Sequence, residues 1–167
     1  MPDEIAVKDT SSIIQVRRIV ARADQPSVFE KLTSLVTTGK LAFPKEVLKE
    51  LERWANPETQ DFPLEWARSN APLASVHSVP LETVRAVLAE VPEILDPDKD
   101  GVEEADPYVL ALAMRLQNEG YQVTILTEER KDRPDKMSMN TACGVLRIPC
   151  LPVETFLSRN GIWRRGG

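Results

Sequence analysis

Histidine and cysteine are nearly missing from this chain. The single histidine, His77, excludes a multi-histidine zinc site. Two cysteines, Cys143 and Cys150, cannot build a disulfide framework, and no Cys-x-x-Cys pair occurs. No run approaches the roughly 20 consecutive apolar residues that a membrane helix needs. The first residues, Met1-Pro2-Asp3-Glu4, are acidic where a secretory signal is basic and then apolar, so a cytoplasmic protein is expected. Internal repeats and low-complexity tracts are also lacking. What remains is 167 residues, 42% hydrophobic and 28% charged, the make-up of an ordinary soluble domain. That length suits one domain over 1–167, with 160–167 expected to form a flexible tail.

Charge is unevenly spread. The formal net charge is −5, but residues 1–129 carry −10 and residues 130–167 carry +5. Acids are densest over Glu90–Asp106, with eight acids against one base. A basic end on an acidic body can meet a polyanion, or can simply be a solvated face.

Apolar runs and helical stripes alternate. Glu4–Lys8 reads as a strand, followed by a helix over Ser11–Ala21 with Ser11 or Ser12 as its cap. A second helix opens at Pro26 and ends at Gly39, Leu41-Ala42-Phe43 is a short strand, and Pro44 opens a third helix through Trp54. Helices are expected over Leu64–Asn70 and Leu81–Val91, making an extra helical segment around 57–104 that caps the groove. Asp106-Pro107 begins the next helix, and Tyr121–Thr127 is the clearest strand. A helix over Met137–Cys143, a strand over Val145–Ile148 and a helix over Val153–Arg159 complete the chain. This alternation predicts an α/β fold around a mainly parallel sheet, whose sites lie at the carboxyl ends of the strands.

Acids stand at those ends. Asp9 closes the first strand, Glu50 lies in the helix after the second, Asp106 opens the helix before the strongest strand, and Glu128-Glu129 close that strand. Carboxylates brought together repel one another, and a hard cation with oxygen preference, Mg²⁺ or Mn²⁺, relieves the conflict. With water, such a centre can attack a phosphodiester. The bland alternative is a set of helix caps and surface acids, with Glu50 paired to Arg53 and Asp106 capping its helix.

Four ordered segments resemble the PIN-domain family of metal-dependent nucleases. They are Asp9-Thr10-Ser11-Ser12-Ile13; Phe43 to Leu51, with Glu50 just before a leucine; Ala105-Asp106-Pro107-Tyr108-Val109-Leu110-Ala111-Leu112-Ala113; and Val123-Thr124-Ile125-Leu126-Thr127-Glu128-Glu129. The stretch Cys143–Leu151 is similar to the family's closing strand, so the likeness runs from Asp9 to about Phe156. The resemblance implies a three-layer α/β/α sandwich and an endoribonuclease using Mg²⁺ or Mn²⁺. Its metal-binding and catalytic acids would be Asp9, Glu50, Asp106 and Glu129, with Glu128 as a further ligand candidate. Thr10 or Ser11 would add a hydroxyl, and the basic residues Arg130, Lys131, Arg133 and Lys136 would hold the RNA backbone. Toxin members of that family are homodimers held by a small antitoxin, so RNA, an antitoxin and a second copy are the expected partners, and a membrane is not.

Two departures from the family pattern stand out. The last acid is Glu129 instead of Asp, and Lys8 precedes Asp9, where it is placed to pair with it. A catalytically weak PIN-like module acting by RNA or protein binding is the second reading. A phosphoryl-transfer enzyme built on Asp9 is the third, and it lacks a second Asp two residues on, where Ser11 stands. Asp96-Pro97-Asp98-Lys99-Asp100-Gly101 begins like a calcium loop, but the twelfth position is Pro107 instead of a bidentate Glu. Cys143 and Cys150 read as buried thiols flanking a strand, and His77 as neither ligand nor base. Trp54 and Trp66 read as packing residues, and Trp163 as the exposed tryptophan of the three.

Overall fold

The computed structural model describes residues 3–55, 61–99 and 101–167. In chain order the elements are β1 (Glu4–Lys8), α1 (Thr10–Ile19), α2 (Gln25–Thr37), β2 (Leu41–Ala42), α3 (Lys45–Trp54), α4 (Phe62–Ala74), α5 (Leu81–Glu90), α6 (Asp106–Asn118), β3 (Gln122–Leu126), α7 (Met139–Leu146), β4 (Cys150–Leu151) and α8 (Val153–Arg159). The four strands form one all-parallel sheet in the order β2-β1-β3-β4. Parallel sheets need both faces covered, and the helices cover them, giving a three-layer α/β/α fold. Helix α2 packs against β2, and α6 against β1 and β3.

The core follows from the apolar stripes. Ile13 and Val16 of α1, Leu32 of α2, Val109, Leu110 and Leu112 of α6, and Ile125 and Leu126 of β3 are all buried. Strand β1 runs in register with β3, Val7 opposite Ile125 and Lys8 opposite Leu126. Beyond the strand ends the pairing continues. The Asp9 amide donates to the Leu126 carbonyl (3.1 Å), and the Thr127 amide to that of Leu151 (3.1 Å). Asp9 and Thr127 therefore stand side by side at the carboxyl edge of the sheet. Among the described residues, no helix is long and apolar enough to cross a membrane.

Several local expectations are corrected. The expected helix over Met137–Cys143 is displaced to Met139–Leu146, and the strand expected over Val145–Ile148 does not form. Ser138 caps α7 by accepting from the Thr141 amide (3.1 Å), and Arg147 closes the helix with a positive φ of 60°. The cysteines consequently flank no strand: Cys143 lies buried in α7 and Cys150 half-buried in β4, both free. Helix α4 is longer than expected because Asp61 caps it through the Leu64 amide (3.1 Å), and Pro72 is accommodated inside it. Nor does α4 cap the groove: it packs on α1, α2 and α3. At the chain end Ile162 is buried, and Arg165 pairs with Glu154 (2.6 Å).

Candidate metal centre

Asp9 is the best-anchored acid. It caps α1, a role the sequence suggested for Ser11 or Ser12: Oδ1 accepts from the Ser12 amide (2.8 Å) and from the Ser11 hydroxyl (2.7 Å). Its other oxygen accepts from the Thr127 hydroxyl. Those donors favour the charged form, but full burial outweighs them and raises the Asp9 pKa to about 7. Thr127 also accepts from the Glu129 amide (3.1 Å), so one hydroxyl ties two acids to one strand end.

Asp106 begins α6 without capping it, since the cap position is Ala105 and no side chain bonds there. Its carboxyl is therefore free to face the sheet edge. Burial raises its pKa well above the carboxylate range, and Glu129, Asp9 and Glu50 push it the same way. Oxygens of Asp9, Asp106 and Glu129 all lie within 4.8 Å of one another. Glu50 stands beside this trio rather than within it. Its carboxylate accepts from the Ala105 amide (3.0 Å) and so holds the start of α6 against α3. The pairing of Glu50 with Arg53 is not what forms, because Arg53 donates to the Glu103 carbonyl (3.1 Å).

Contacts separate Glu129 from Glu128. Residues paired across parallel strands share a face, and neighbours along a strand face opposite ways. Lys8 and Leu126 thus turn to one side and Asp9 to the other, where it takes the Thr127 hydroxyl. Past Leu126 the chain leaves the strand, and both glutamates line the groove, but it is Glu129 that joins Asp9 and Asp106 within 4.8 Å. Glu128 accepts from the Val153 amide at the start of α8 (2.8 Å). Lys8 follows the same rule: it does not pair with Asp9 but donates to the Ser12 carbonyl (3.2 Å). Its burial lowers its pKa to about 7 against the attraction of Asp9 and Glu128.

Lys136 corrects a further expectation. It does not lie on the surface for an RNA backbone but is 9% exposed, its ammonium 3.3 Å from Asp106 and 3.1 Å from Glu129. Burial works to lower its pKa, and the Asp106 and Glu129 carboxylates overcome that, leaving it raised. A short bridge between Arg133 and Lys136 turns the loop and aims this side chain inward. Arg133 is itself committed to Asp96 (2.7 Å), while Arg130 and Lys131 stay exposed on the rim. Asp96 is likewise no calcium ligand in waiting, since its oxygens take Arg133 and the Asp98 amide (2.9 Å). Asp100, a third acid of that loop, lies outside the described residues. Of the two hydroxyls, Ser11 joins Asp9 to the Glu128 amide (3.0 Å), whereas Thr10 is buried with no hydrogen-bond partner.

Asp106, Glu128 and Glu129 line a groove of about 680 Å³, walled also by Asp96, Lys99 and Glu104, by the loop after Glu129 and by α3, with Asp9 fully buried. Thr127 was passed over in the sequence, although it closes the strongest strand, and so was the inward aim of Lys136. The tryptophan expectation is partly reversed. Trp66 packs in the core against Phe29 and Phe43, and Trp163 packs against it too, whereas Trp54 stands exposed at the groove.

Comparison with protein families matches residues 7–163 to DUF4411, a domain of unknown function. The chain belongs to that family. The DUF4411 match spans Asp9, Glu50, Asp106, Glu128 and Glu129, and Lys136 as well. Searches among curated proteins and among solved structures found no match.

Proposed function

We propose that this DUF4411 protein is a divalent-metal-dependent endoribonuclease of the PIN type. The observation that supports it is the meeting of Asp9, Asp106 and Glu129, contributed by three separate segments, within 4.8 Å at the carboxyl edge of a parallel sheet. Two buried carboxylates of raised proton affinity, Asp9 and Asp106, beside the half-buried Glu129 are a poor arrangement for stability alone. All-oxygen donors fit Mg²⁺ or Mn²⁺. Asp9, Asp106 and Glu129 would hold the ion, which supplies a water of lowered pKa and positive charge beside the scissile phosphate.

The chain's own residues do the rest. Thr127 and Ser11 fix the Asp9 carboxylate in one orientation, so a ligand oxygen is in place before binding. Glu50 holds the α6 terminus and with it Asp106. Arg130 and Lys131 on the rim offer charge to flanking phosphates. Titration of Mn²⁺ into metal-free protein tests the reading. Micromolar-class binding lost in Asp9→Asn plus Asp106→Asn, with Mn²⁺-dependent RNA cleavage lost in the same variant, supports it. Binding that is absent or indifferent to both substitutions sinks it.

Through the resemblance, the proposal extends to a toxin paired with an antitoxin; growth arrest on expression of the wild type, relieved by the double substitution, is its test. One observation favours the second reading, a weak or inactive PIN-like binding module. Lys136 already places a positive charge between Asp106 and Glu129. Mn²⁺ binding without cleavage of any RNA would select that module.

A further inference from the structure

Glu50 and Trp54 sit one helical turn apart on the same face of α3. Glu50 is held against the start of α6, and Trp54 is carried outward to the mouth of the same groove. Its side chain is 63% exposed, the most exposed large apolar side chain among the described residues. The other two tryptophans show what packing looks like here. Trp66 is buried and donates to the Phe29 carbonyl (3.1 Å), and Trp163 lies against the core. Among the described residues, Trp54 meets the Lys99 ammonium, 5.7 Å from its ring centroid. A cation over an indole in water is a weak contact, easily exchanged for a flat ring.

The charge around that indole points to what fills it. Arg130 and Lys131 line the groove, are exposed, and join no ion pair among the described residues. Free cations beside a bare aromatic face are the two elements by which single-stranded nucleic acid is held: phosphates on the charges, a base on the ring. A base inside a duplex is stacked on both faces and cannot reach a side ring.

We propose that the groove selects single-stranded nucleic acid by stacking one base on Trp54, with the neighbouring phosphates on Arg130 and Lys131. The proposal rests on the nuclease reading for what happens to the strand next, but not for the binding. On stacking, the Lys99 ammonium is freed from the ring to face the same backbone. Because every base has a flat face, this contact selects strandedness and not sequence.

Fluorescence anisotropy with a labelled uridine oligonucleotide in Ca²⁺ tests it, beside a hairpin duplex and an abasic ribose-phosphate strand of equal length. The wild type should bind the uridine strand more tightly than either control. Trp54→Ala should weaken the uridine strand about 10-fold, the loss of one stacked base. Trp54→Phe should keep most of the affinity. Neither variant should alter binding of the two controls, nor the affinity for Mn²⁺. Equal wild-type binding to all three nucleic acids overturns the proposal. So does a Trp54→Ala variant that binds the uridine strand as the wild type does, including one that instead loses a protein partner. The two readings fail separately. Trp54-dependent binding in a protein that neither takes up Mn²⁺ nor cuts RNA leaves the platform and removes the metal chemistry. Mn²⁺-dependent cleavage with affinity indifferent to Trp54 does the reverse.

Discussion

The Lys136 ammonium lies 3.3 Å from the Asp106 carboxylate, at the centre of the acid cluster. It acts there as a tethered cation that offsets part of the mutual repulsion of Asp106 and Glu129. Removing it has opposite effects on the metal-free and metal-bound protein. Lys136→Gln should destabilise the metal-free form by about 2 kcal/mol, roughly 5 °C in Tm, as expected for breaking a largely buried ion pair. The same variant should bind Mn²⁺ about 10-fold more tightly at pH 8, because the ion no longer competes with a resident charge. Thermal melts in chelator and calorimetric titration read both. Weaker Mn²⁺ binding in Lys136→Gln would show instead that Lys136 organises the ligands.

Metal uptake should depend on pH with a definite sign. Asp9 has a pKa of about 7 and that of Asp106 is raised well above the carboxylate range, so near neutrality the metal-free site holds protons. An ion must displace them. Mn²⁺ affinity should therefore rise with pH through about 7, by roughly one order of magnitude per pH unit for each proton displaced. Titrations in buffers of different protonation enthalpy should show proton release. A flat affinity between pH 6 and pH 8 would mean that the acids titrate normally in solution.

Much of this was legible in the chain before its structure, for a physical reason. Periodicity and punctuation are local signals, so β1, α3, α6 and β3 were readable from Glu4–Lys8, the Pro44 stripe, Asp106-Pro107 and Tyr121–Thr127. Alternation of strands with helices then placed Asp9, Glu50, Asp106 and Glu128-Glu129 at one sheet edge. What was not legible is set by pairing. The choice between Glu128 and Glu129 follows from contacts between distant segments, Glu129 with Asp9 and Asp106, Glu128 with the Val153 amide. The same holds for Lys136, whose inward aim depends on a loop bridge, and for Trp54, whose helical spacing looks like packing but which stands exposed among the described residues. The expected strand at Val145–Ile148 failed because the Ser138 cap carries α7 through Leu146, an instance of capping overriding β-branched preference.

Lys8 and Asp9 predict an unusual stability profile for the metal-free protein. Burial raises the Asp9 pKa from 3.8 to about 7, so the stability it contributes is complete below 3.8 and is lost as pH rises through 7. Burial lowers the Lys8 pKa from 10.5 to about 7, so its contribution is complete above 10.5 and is lost as pH falls through 7. Together they place a minimum of stability near pH 7 in chelator. Lys8→Met should raise Tm there and flatten the alkaline limb, since a methionine of similar volume carries no charge to bury. Asp9→Asn should flatten the acid limb. Melts of the wild type that peak at neutral pH would contradict both assignments.

Glu128 and Glu129 provide the sharpest contrast, being adjacent, identical in type and held by different partners. Glu129 faces Asp9 and Asp106, so Glu129→Gln removes one of three charged ligands and should weaken Mn²⁺ binding by about 100-fold, at the upper end for loss of a metal-site partner. It should not lower the Tm of the metal-free protein, because it also removes a source of repulsion on Asp106. Glu128 instead accepts from the Val153 amide at the start of α8. Glu128→Ala should cost about 1 kcal/mol, the usual loss for an unsatisfied helix-start donor, and roughly 3 °C in Tm. Its Mn²⁺ affinity should match the wild type. The two variants exchange phenotypes if the roles are reversed: loss of metal in Glu128→Ala with retention in Glu129→Gln would make Glu128 the third ligand.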